Sequence, residues 1–310
     1  MTETNLKVLE LINQNKNLKQ IASILGMSEK QLYMRIKQLI NYGYNINSSY
    51  SYSSDIYYSL IKKKVMNTQN DVTIKMPKNI NEFRCIVVSD LHIGSKDSDI
   101  KLMDIVYNYA AKKGINIILN CGDTVEGDYT TSKKSIKDIH GQLENFIKKY
   151  PYDKNINNFM IFGNHDYHSL HYDGLDMSKI IKNSRYDIVP IGYGQGIVKV
   201  KEDGIILFHK LHEGFKPVLN NNEKILLSGH SHMMKTKIND IFWLSIPTLS
   251  YDSTDNTHEV IPGFVDLHIT LENQKFDYLT AKHMMITPKV IEASESKCRV
   301  KTLFTDKRWK

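Results

Sequence analysis

The chain has 310 residues, of which 41% are hydrophobic and 24% are charged, and its net charge is +7. This composition excludes an intrinsically disordered chain, and no apolar run approaches the roughly 18 residues of a membrane span. The N-terminal sequence does not resemble an export signal, and three cysteines without Cys-x-x-Cys spacing cannot form a closed disulfide framework. We therefore expect a cytoplasmic protein with no membrane partner.

The positive charge is concentrated at the N-terminal end. Residues 1–80 contain 11 Lys and Arg against 5 Asp and Glu, whereas the remaining residues contain 30 against 29. The length favours two domains, so a small basic domain would precede a larger, nearly neutral one. Such a basic domain suits a polyanion, with nucleic acid as the first candidate and a merely solvated basic surface as the alternative.

Three short helices are predicted in the first 41 residues. Apolar stripes cover 6–12 and 18–25, and the second stripe ends at Gly26. A third helix is predicted to begin at Ser28, whose hydroxyl would cap it while Gln31 returns the hydrogen bond. Its outer side would present the side chains expected to contact nucleic acid, namely Lys30, Gln31, Tyr33, Met34 and Lys37.

Strand-like segments around 44–46 and 56–61 then predict a β-hairpin. The segments Leu25-Gly26-Met27-Ser28, Gly43-Tyr44 and Tyr57-Tyr58 resemble a winged helix-turn-helix of the biotin-repressor type. This resemblance implies DNA binding, although a protein-protein or dimerisation role stays open because a fold does not determine function. We expect this domain at 1–65 and a linker at 66–80.

Two buried strands end in candidate metal ligands. The apolar run 85–89 precedes Asp90 and His92, which alternation along the chain places on one side. A helical stretch at 98–112 leads to a second apolar run, 115–121, followed by Gly122 and Asp123. Because strand carboxyl ends form the ligand crevice of a βαβ unit, we expect Asp123 beside Asp90 and His92.

Three further strands are expected to end at the same crevice. Strand 159–162 leads into Gly163-Asn164-His165-Asp166, strand 204–208 into His209, and strand 224–228 into Gly229-His230-Ser231-His232. Amide oxygen and imidazole nitrogen are suitable ligands for divalent cations. His212 is a rival to His209, which we favour because it directly follows its strand.

Together these motifs, in this order, resemble the calcineurin-like metallophosphoesterase family over about residues 83–270. The resemblance implies a four-layer α/β/β/α sandwich, which we place at 81–285, followed by a C-terminal extension at 286–310. It also implies two divalent ions, one bound by Asp90, His92, Asp123 and His232 and the other by Asp123, Asn164, His209 and His230. Mn²⁺ is the expected ion, and Fe, Ni and Zn remain open.

The expected chemistry is hydrolysis of a phosphoester by a hydroxide that the two ions activate, with His165 assisting the leaving group. The resemblance suggests Glu126 as the residue that orients His165, and Asp166 is the rival. Tyr167, His168, His171 and Tyr172 are expected on a loop, where they could contact a base or pack together.

Protein Ser/Thr phosphatases of this superfamily have Asp-Arg-Gly where this chain has Glu126-Gly127-Asp128. The missing arginine, together with Gly-Asn-His-Asp, favours a phosphodiesterase or nuclease acting on nucleic acid or nucleotides. A nucleotide or protein phosphatase is one alternative, and a DNA-binding regulator with a metal- or nucleotide-sensing domain is the other.

Overall fold

A computed structural model of the protein describes residues 3–41, 44, 46–50, 56–60, 71–128, 134–136, 138–219, 222–251 and 260–300. These residues form seven helices and fifteen strands. Within them, no helix has the length and apolar character that crossing a membrane requires.

The N-terminal unit contains helices α1 (Glu3–Asn13), α2 (Leu18–Ile24) and α3 (Glu29–Asn41), and the antiparallel hairpin of β1 (Ile46–Tyr50) and β2 (Ile56–Leu60). The predicted capping box is present, because the Gln31 N–H donates to Ser28 Oγ (3.2 Å) and the Ser28 N–H donates to Gln31 Oε1 (2.9 Å). Its core includes Ile21, Leu32 and Tyr58, all at most 1% exposed. The predicted order of three helices and a hairpin is confirmed as secondary structure.

The rest of the chain alternates between two sheets. Its elements are β3 (Asp71–Ile74), β4 (Glu82–Val88), α4 (Lys101–Lys113), β5 (Ile117–Asn120), α5 (Ile139–Lys149), β6 (Asn157–Phe162), α6 (Asn164–Asp173), α7 (Met177–Ser184), β7 (Ile188–Tyr193), β8 (Gln195–Val200), β9 (Asp203–Phe208), β10 (Glu223–Ser228), β11 (Lys235–Ile238), β12 (Phe242–Ser245), β13 (Gly263–Glu272), β14 (Lys275–Ile286) and β15 (Val290–Arg299).

One sheet has the order β15-β14-β13-β4-β5-β6-β7. Strands β4 to β7 run parallel, whereas β13, β14 and β15 each pair antiparallel with their neighbours. The other has the order β11-β12-β10-β9-β8-β3, with β9, β10 and β12 parallel. The parallel strands are almost entirely buried, as their continuous apolar sequences predict.

A shared hydrophobic core lies between the two sheets and includes Val87, Leu119, Leu207 and Leu227. A second core joins the opposite face of the larger sheet to helices α4, α5 and α7. The order of layers is therefore helix, sheet, sheet.

The expected fourth layer, helices outside the smaller sheet, is not found in the described parts of the chain. Strands β8 and β9 form an antiparallel pair connected by a short turn, and the segment 209–219 after β9 is irregular. Phe215 from this segment stacks on Phe208, with ring centroids 5.6 Å apart, and so covers part of the outer face.

The structure also corrects two predicted boundaries. The predicted linker, 66–80, includes β3, which pairs with β8 inside the smaller sheet, although 66–70 lie outside the described residues. The predicted C-terminal extension, 286–310, includes β15, which pairs with β14 over Val290–Arg299. Strand β3 has only four residues, and β15 is polar and mostly exposed; both are strands because they pair with a neighbouring strand of a sheet.

Helix α6 replaces the loop that was predicted for Tyr167, His168, His171 and Tyr172. Its residues have modest helix propensity, but the Asp166 carboxylate accepts the N–H of Gly163 (2.9 Å) and closes its first turn. Rings four residues apart then pair, as in His168 and Tyr172 with centroids 4.3 Å apart.

Candidate metal centre

The seven predicted ligands lie together where strand ends of both sheets meet. Asp90 and His92 follow β4, Asp123 follows β5, Asn164 begins α6 after β6, His209 follows β9, and His230 and His232 follow β10. Five of the seven are 8% exposed or less, the exceptions being Asn164 and His230. A group of buried polar side chains at one crevice is what a metal site requires.

One cluster consists of Asp90, His92 and His232. The Nε2 atoms of His92 and His232 are 3.2 Å apart, and His232 Nε2 lies 3.4 Å from Asp90 Oδ1. Two ligand atoms bonded to one cation at about 2.0–2.2 Å are separated by about 3.0–3.5 Å. Two imidazole nitrogens and a carboxylate oxygen at this spacing therefore fit a divalent ion.

A second cluster consists of Asp123, Asn164, His209 and His230. His209 Nε2 lies 3.0 Å from Asp123 Oδ2 and 3.1 Å from Asn164 Oδ1, and His230 Nδ1 lies 3.0 Å from Asn164 Oδ1. These separations are again those of ligand atoms around one cation, so this donor set also fits a divalent ion. Asp90 Oδ1 lies 3.9 Å from Nε2 of both His92 and His209, which places the two clusters side by side.

The backbone at this crevice is strained. Asp90, His92, Asp123, His230 and His232 have φ between 48° and 75°, in the left-handed region that residues other than glycine rarely occupy. Such conformations cost about 1–3 kcal/mol each and persist where the surrounding structure imposes them, commonly at functional sites. The strain turns side chains from several strand ends toward one point.

Glycines let the polypeptide segments approach His209. A Cβ on Gly163 would lie 2.2 Å from Asp123 Oδ1 and 2.7 Å from His209 Cδ2, and a Cβ on Gly122 or Gly229 would meet His209 Nδ1 within 2.8 Å. The His209 ring is held by a hydrogen bond between Nδ1 and the Cys121 carbonyl, 2.7 Å long. The glycines that precede Asp123, Asn164 and His230 therefore have a steric function.

Glu126 contacts both neighbouring histidines, but through different atoms. Its carboxylate lies 3.0 Å from His92 Nδ1, whereas its backbone carbonyl accepts a 2.7 Å hydrogen bond from His165 Nδ1. The carboxylate itself is 3.8 Å from His165 Nδ1. Glu126 thus orients a predicted ligand with its side chain and the predicted catalytic histidine with its main chain.

Asp166 acts on the backbone instead. Its carboxylate accepts hydrogen bonds from the N–H groups of Thr124, Val125 and Gly163, at 2.9–3.1 Å. These bonds tie the turn after β5 to the start of α6. The rival role predicted for Asp166, orienting the His165 ring, receives no support from these contacts.

Burial and neighbouring charges set the proton affinities here. Burial lowers the pKa of His92, but the hydrogen bond with Glu126 and the charge of Asp123 raise it to about 9. Burial likewise lowers the pKa of His209, which the charge of Asp123 and the hydrogen bond with it raise to about 9. Burial alone would raise the pKa of Asp123, but His209 and His165 hold it well below its usual range.

Two other groups have shifted proton affinities. Burial lowers the pKa of His165, against the opposing charge of Asp123. Burial and the charge of Asp123 raise the pKa of Asp166 to about 7, although its three backbone hydrogen bonds lower it. The lowered pKa of His165 favours its neutral form more than in an ordinary histidine.

The remaining predicted residues lie away from this crevice. His212, the rival to His209, is exposed, and its Nδ1 contacts the Glu213 carbonyl. On α3, Lys30 is exposed, the Gln31 side chain serves the capping box, and the Lys37 side chain lies outside the described part of the structure. Tyr33, expected on the outer side, is instead half-buried against the helices of the larger domain.

Two supporting residues were not predicted. Thr248 Oγ1 donates a 2.8 Å hydrogen bond to the Asp90 carbonyl, and buried Gln142 both accepts the Gly127 N–H (2.9 Å) and donates to the Gly127 carbonyl (3.1 Å). Both fix turns that carry candidate ligands or Glu126. A buried glutamine within a helix gives no local signal in the sequence.

Comparisons with solved structures found distant likenesses. Vacuolar protein sorting 29 from Cryptosporidium parvum is 14% identical with a TM-score of 0.44, covering 71% of this chain and all of that one. YfcE, a phosphoesterase from E. coli, is 19% identical with a TM-score of 0.37, covering 63% and 96%. Nuclease MPE from Pseudomonas putida is 14% identical with a TM-score of 0.34, covering 62% and 85%.

A comparison with curated proteins found no match. Residues 83–234 match the family described as calcineurin-like phosphoesterase, and this segment contains all seven clustered residues together with His165. That family uses divalent metals, in agreement with the two clusters of carboxylate, amide and imidazole groups. The segment from 83 to 234 belongs to the calcineurin-like phosphoesterase family, and the chain is a hydrolase that acts on phosphoesters.

Proposed function

We propose that this chain is a metal-dependent phosphodiesterase or nuclease that acts on nucleic acid or nucleotides. The observation that carries the proposal is the pair of adjacent clusters, which would hold two divalent ions, with Mn²⁺ as the expected species. When bound, such ions neutralise phosphate oxygens and lower the pKa of water. Asp123 would be shared between them, because its carboxylate contacts His209 while its charge raises the pKa of His92.

His165 would assist the leaving group. Because a carbonyl oxygen only accepts hydrogen bonds, the contact with the Glu126 carbonyl requires a proton on Nδ1 of His165. Proton transfer is then left to Nε2, the other ring nitrogen. Burial lowers the pKa of this ring, so a proton carried on Nε2 is given up readily to a departing oxygen.

The turn beside His165 supports a diester substrate. Gly127 occupies the position of the arginine found in Ser/Thr phosphatases, and a Cβ there would lie 2.7 Å from the His165 carbonyl oxygen. The next residue, Asp128, forms a salt bridge with Lys134. A turn with a glycine and a carboxylate has less affinity for a phosphomonoester dianion than one with an arginine.

The N-terminal unit is the proposed nucleic-acid contact. Its order of three helices and a hairpin supports a winged helix-turn-helix, and residues 1–65, which include it, contain 9 Lys and Arg against 4 Asp and Glu. Lys30 and the neighbouring exposed surface of α3 are the candidate contacts to phosphate. A protein-protein role for this unit is the alternative that the experiment below separates.

The test is hydrolysis with Mn²⁺ of bis-p-nitrophenyl phosphate, p-nitrophenyl phosphate, and single- and double-stranded DNA. We expect diester cleavage that falls by about 10²–10⁴-fold in His165→Ala, with metal content unchanged, and cleavage and metal content that both fall in Asp123→Ala. His212→Ala is the matched control, because this exposed histidine lies outside both clusters.

Three results would count against the proposal. Cleavage of the monoester alone would assign a phosphatase. Stoichiometric Mn²⁺ binding without cleavage of any of these substrates would assign a sensing domain. If neither Lys30→Ala nor the salt concentration affected the cleavage of DNA, the N-terminal unit would not be a nucleic-acid contact.

A further inference from the structure

Four rings lie along helix α6, outside its buried side. The buried side is marked by three side chains that are 0% exposed and recur at intervals of three and four residues, namely Asp166, Ser169 and Asp173. Of the four rings, those of Tyr167 and His168 are half-buried, whereas those of His171 and Tyr172 are exposed. Helix α6 therefore presents rings to solvent and keeps its two carboxylates inside. We call the exposed pair, His171 and Tyr172, the α6 platform.

The half-buried rings support the exposed ones. Tyr167 stacks on His171 with ring centroids 5.9 Å apart and an interplanar angle of 23°, and the His168 ring lies 4.3 Å from that of Tyr172 at 34°. The two exposed rings also meet edge to face, with centroids 4.7 Å apart. Tyr167 in turn contacts Tyr193 at the end of β7, with centroids 6.1 Å apart. Because neighbouring rings hold the platform in place, a ligand that stacks on it removes little further side-chain entropy.

The platform lies on the same helix as two residues of the candidate site. Helix α6 begins with Asn164 and His165, and His171 lies about 10 Å from Asn164 along its axis, at 1.5 Å per residue. These two residues, seven positions apart, share one side of the helix, and helical side chains lean toward the N-terminus. At about 3.4 Å or more per nucleotide, a strand with one phosphate at the metal centre passes the platform within about three nucleotides.

The charge and the surroundings of α6 suit a polyanion. Both acidic residues of the helix, Asp166 and Asp173, are buried, so its open side carries only amide, phenol, imidazole and aliphatic groups. No carboxylate of this helix therefore repels a phosphate backbone that crosses the platform. Helix α3 of the N-terminal unit packs against α6, so the proposed phosphate contact near Lys30 belongs to the neighbouring helix.

We propose that the α6 platform stacks on the bases of a single-stranded nucleic acid whose phosphate is bound at the metal centre. Base stacking on aromatic side chains increases affinity about 5- to 150-fold for each base and tolerates any sequence, because every base has a π-face. A single strand is required, since the bases of a duplex are already paired and stacked on one another. The inference rests on the proposed nucleic-acid substrate and narrows it to unpaired strands.

The test compares binding of labelled decathymidylate with binding of an abasic chain of equal length, which has the same charge and no bases. Fluorescence anisotropy is measured with Mn²⁺ in a His165→Ala background, in which cleavage is slow. We expect decathymidylate to bind at least about tenfold more tightly than the abasic chain. The double substitution His171→Ala and Tyr172→Leu should remove most of this preference and leave the affinity for the abasic chain unchanged. Decauridylate repeats the comparison for RNA, and a preference in either series supports the platform.

Two further variants separate stacking from a general loss of surface or of fold. Tyr172→Phe keeps a ring and should keep the base preference. Tyr186→Leu removes a ring that is 82% exposed between α7 and β7, outside α6, and should also keep it. Equal affinity for decathymidylate, decauridylate and the abasic chain before any platform substitution would overturn the inference, as would a base preference that survives the double substitution.

These results can be told apart from failure of the proposed function. If the wild-type protein cleaves bis-p-nitrophenyl phosphate but the base preference is absent, the diesterase stands and the platform is wrong. If the base preference depends on the platform but only the monoester is cleaved, the platform stands and the diesterase is wrong.

Discussion

At the scale of single residues, Gly163 is required because a side chain would not fit there, and not because of its backbone conformation. Its φ of −88° is open to any residue, yet a Cβ would lie 2.2 Å from Asp123 Oδ1. We expect Gly163→Ala to weaken metal binding by about 10- to 100-fold, as displaced ligand supports usually do. Titration with Mn²⁺ monitored by calorimetry measures this directly.

Gly26→Ala is the matched control. Gly26 has φ of +62° with nothing within 4 Å of an added Cβ, so this substitution strains the backbone without a clash. It should cost about 1 kcal/mol of unfolding free energy and leave metal affinity unchanged. If Gly163→Ala behaved in the same way, the crowding around Asp123 would not limit metal binding.

The clustering of the candidate ligands could be predicted from the sequence because each follows an apolar strand, and strand ends converge. The two contacts of Glu126 could not be predicted. The path of the turn that Gln142 fixes decides which oxygen of Glu126 contacts His92 and which contacts His165. The position of Tyr33 could not be predicted from the sequence either. A helix with one obvious apolar stripe gives no sign that a tyrosine beside that stripe packs against a distant domain.

At the scale of elements, Asp166 joins the turn after β5 to helix α6. Replacing it with alanine would leave three buried N–H groups, those of Thr124, Val125 and Gly163, without their acceptor. We expect Asp166→Ala to lower the unfolding free energy by about 3 kcal/mol, measured by urea denaturation. Asp138→Ala, which removes an exposed cap that accepts the Gly141 N–H, should cost about 1 kcal/mol. If both variants lost the same unfolding free energy, Asp166 would contribute no more than an ordinary helix cap.

The elements themselves were predicted unevenly, for physical reasons. The continuous apolar strands β4, β9 and β10 were located because burial on both faces leaves no ambiguity. Strand β15 is mostly exposed on a sheet edge, so its sequence, Val290–Arg299, has no apolar alternation to detect. Helix α6 was missed because Asp166 and packing against α3 stabilise it more than its own propensity does.

At the scale of the whole molecule, metal binding, protonation and stability are linked. Each cluster contains one histidine, His92 or His209, whose pKa is raised to about 9 in the metal-free protein. A raised pKa stabilises the metal-free fold fully below the unfolded value of about 6.5, and this contribution is lost as pH rises through about 9. Metal ions bind neutral imidazole, so each cluster must release a proton to bind an ion.

Metal affinity should therefore increase with pH between about 7 and 9, by about tenfold per pH unit at each cluster. Over the same range the metal-free protein loses stability, so the increase in Tm on adding Mn²⁺ should widen. Calorimetric titrations at pH 7, 8 and 9 in buffers of different ionisation enthalpy would count the released protons, and thermal melts with and without Mn²⁺ would give the Tm difference. An affinity that did not change with pH would mean that both histidines are already neutral, contrary to their contacts with Glu126 and Asp123.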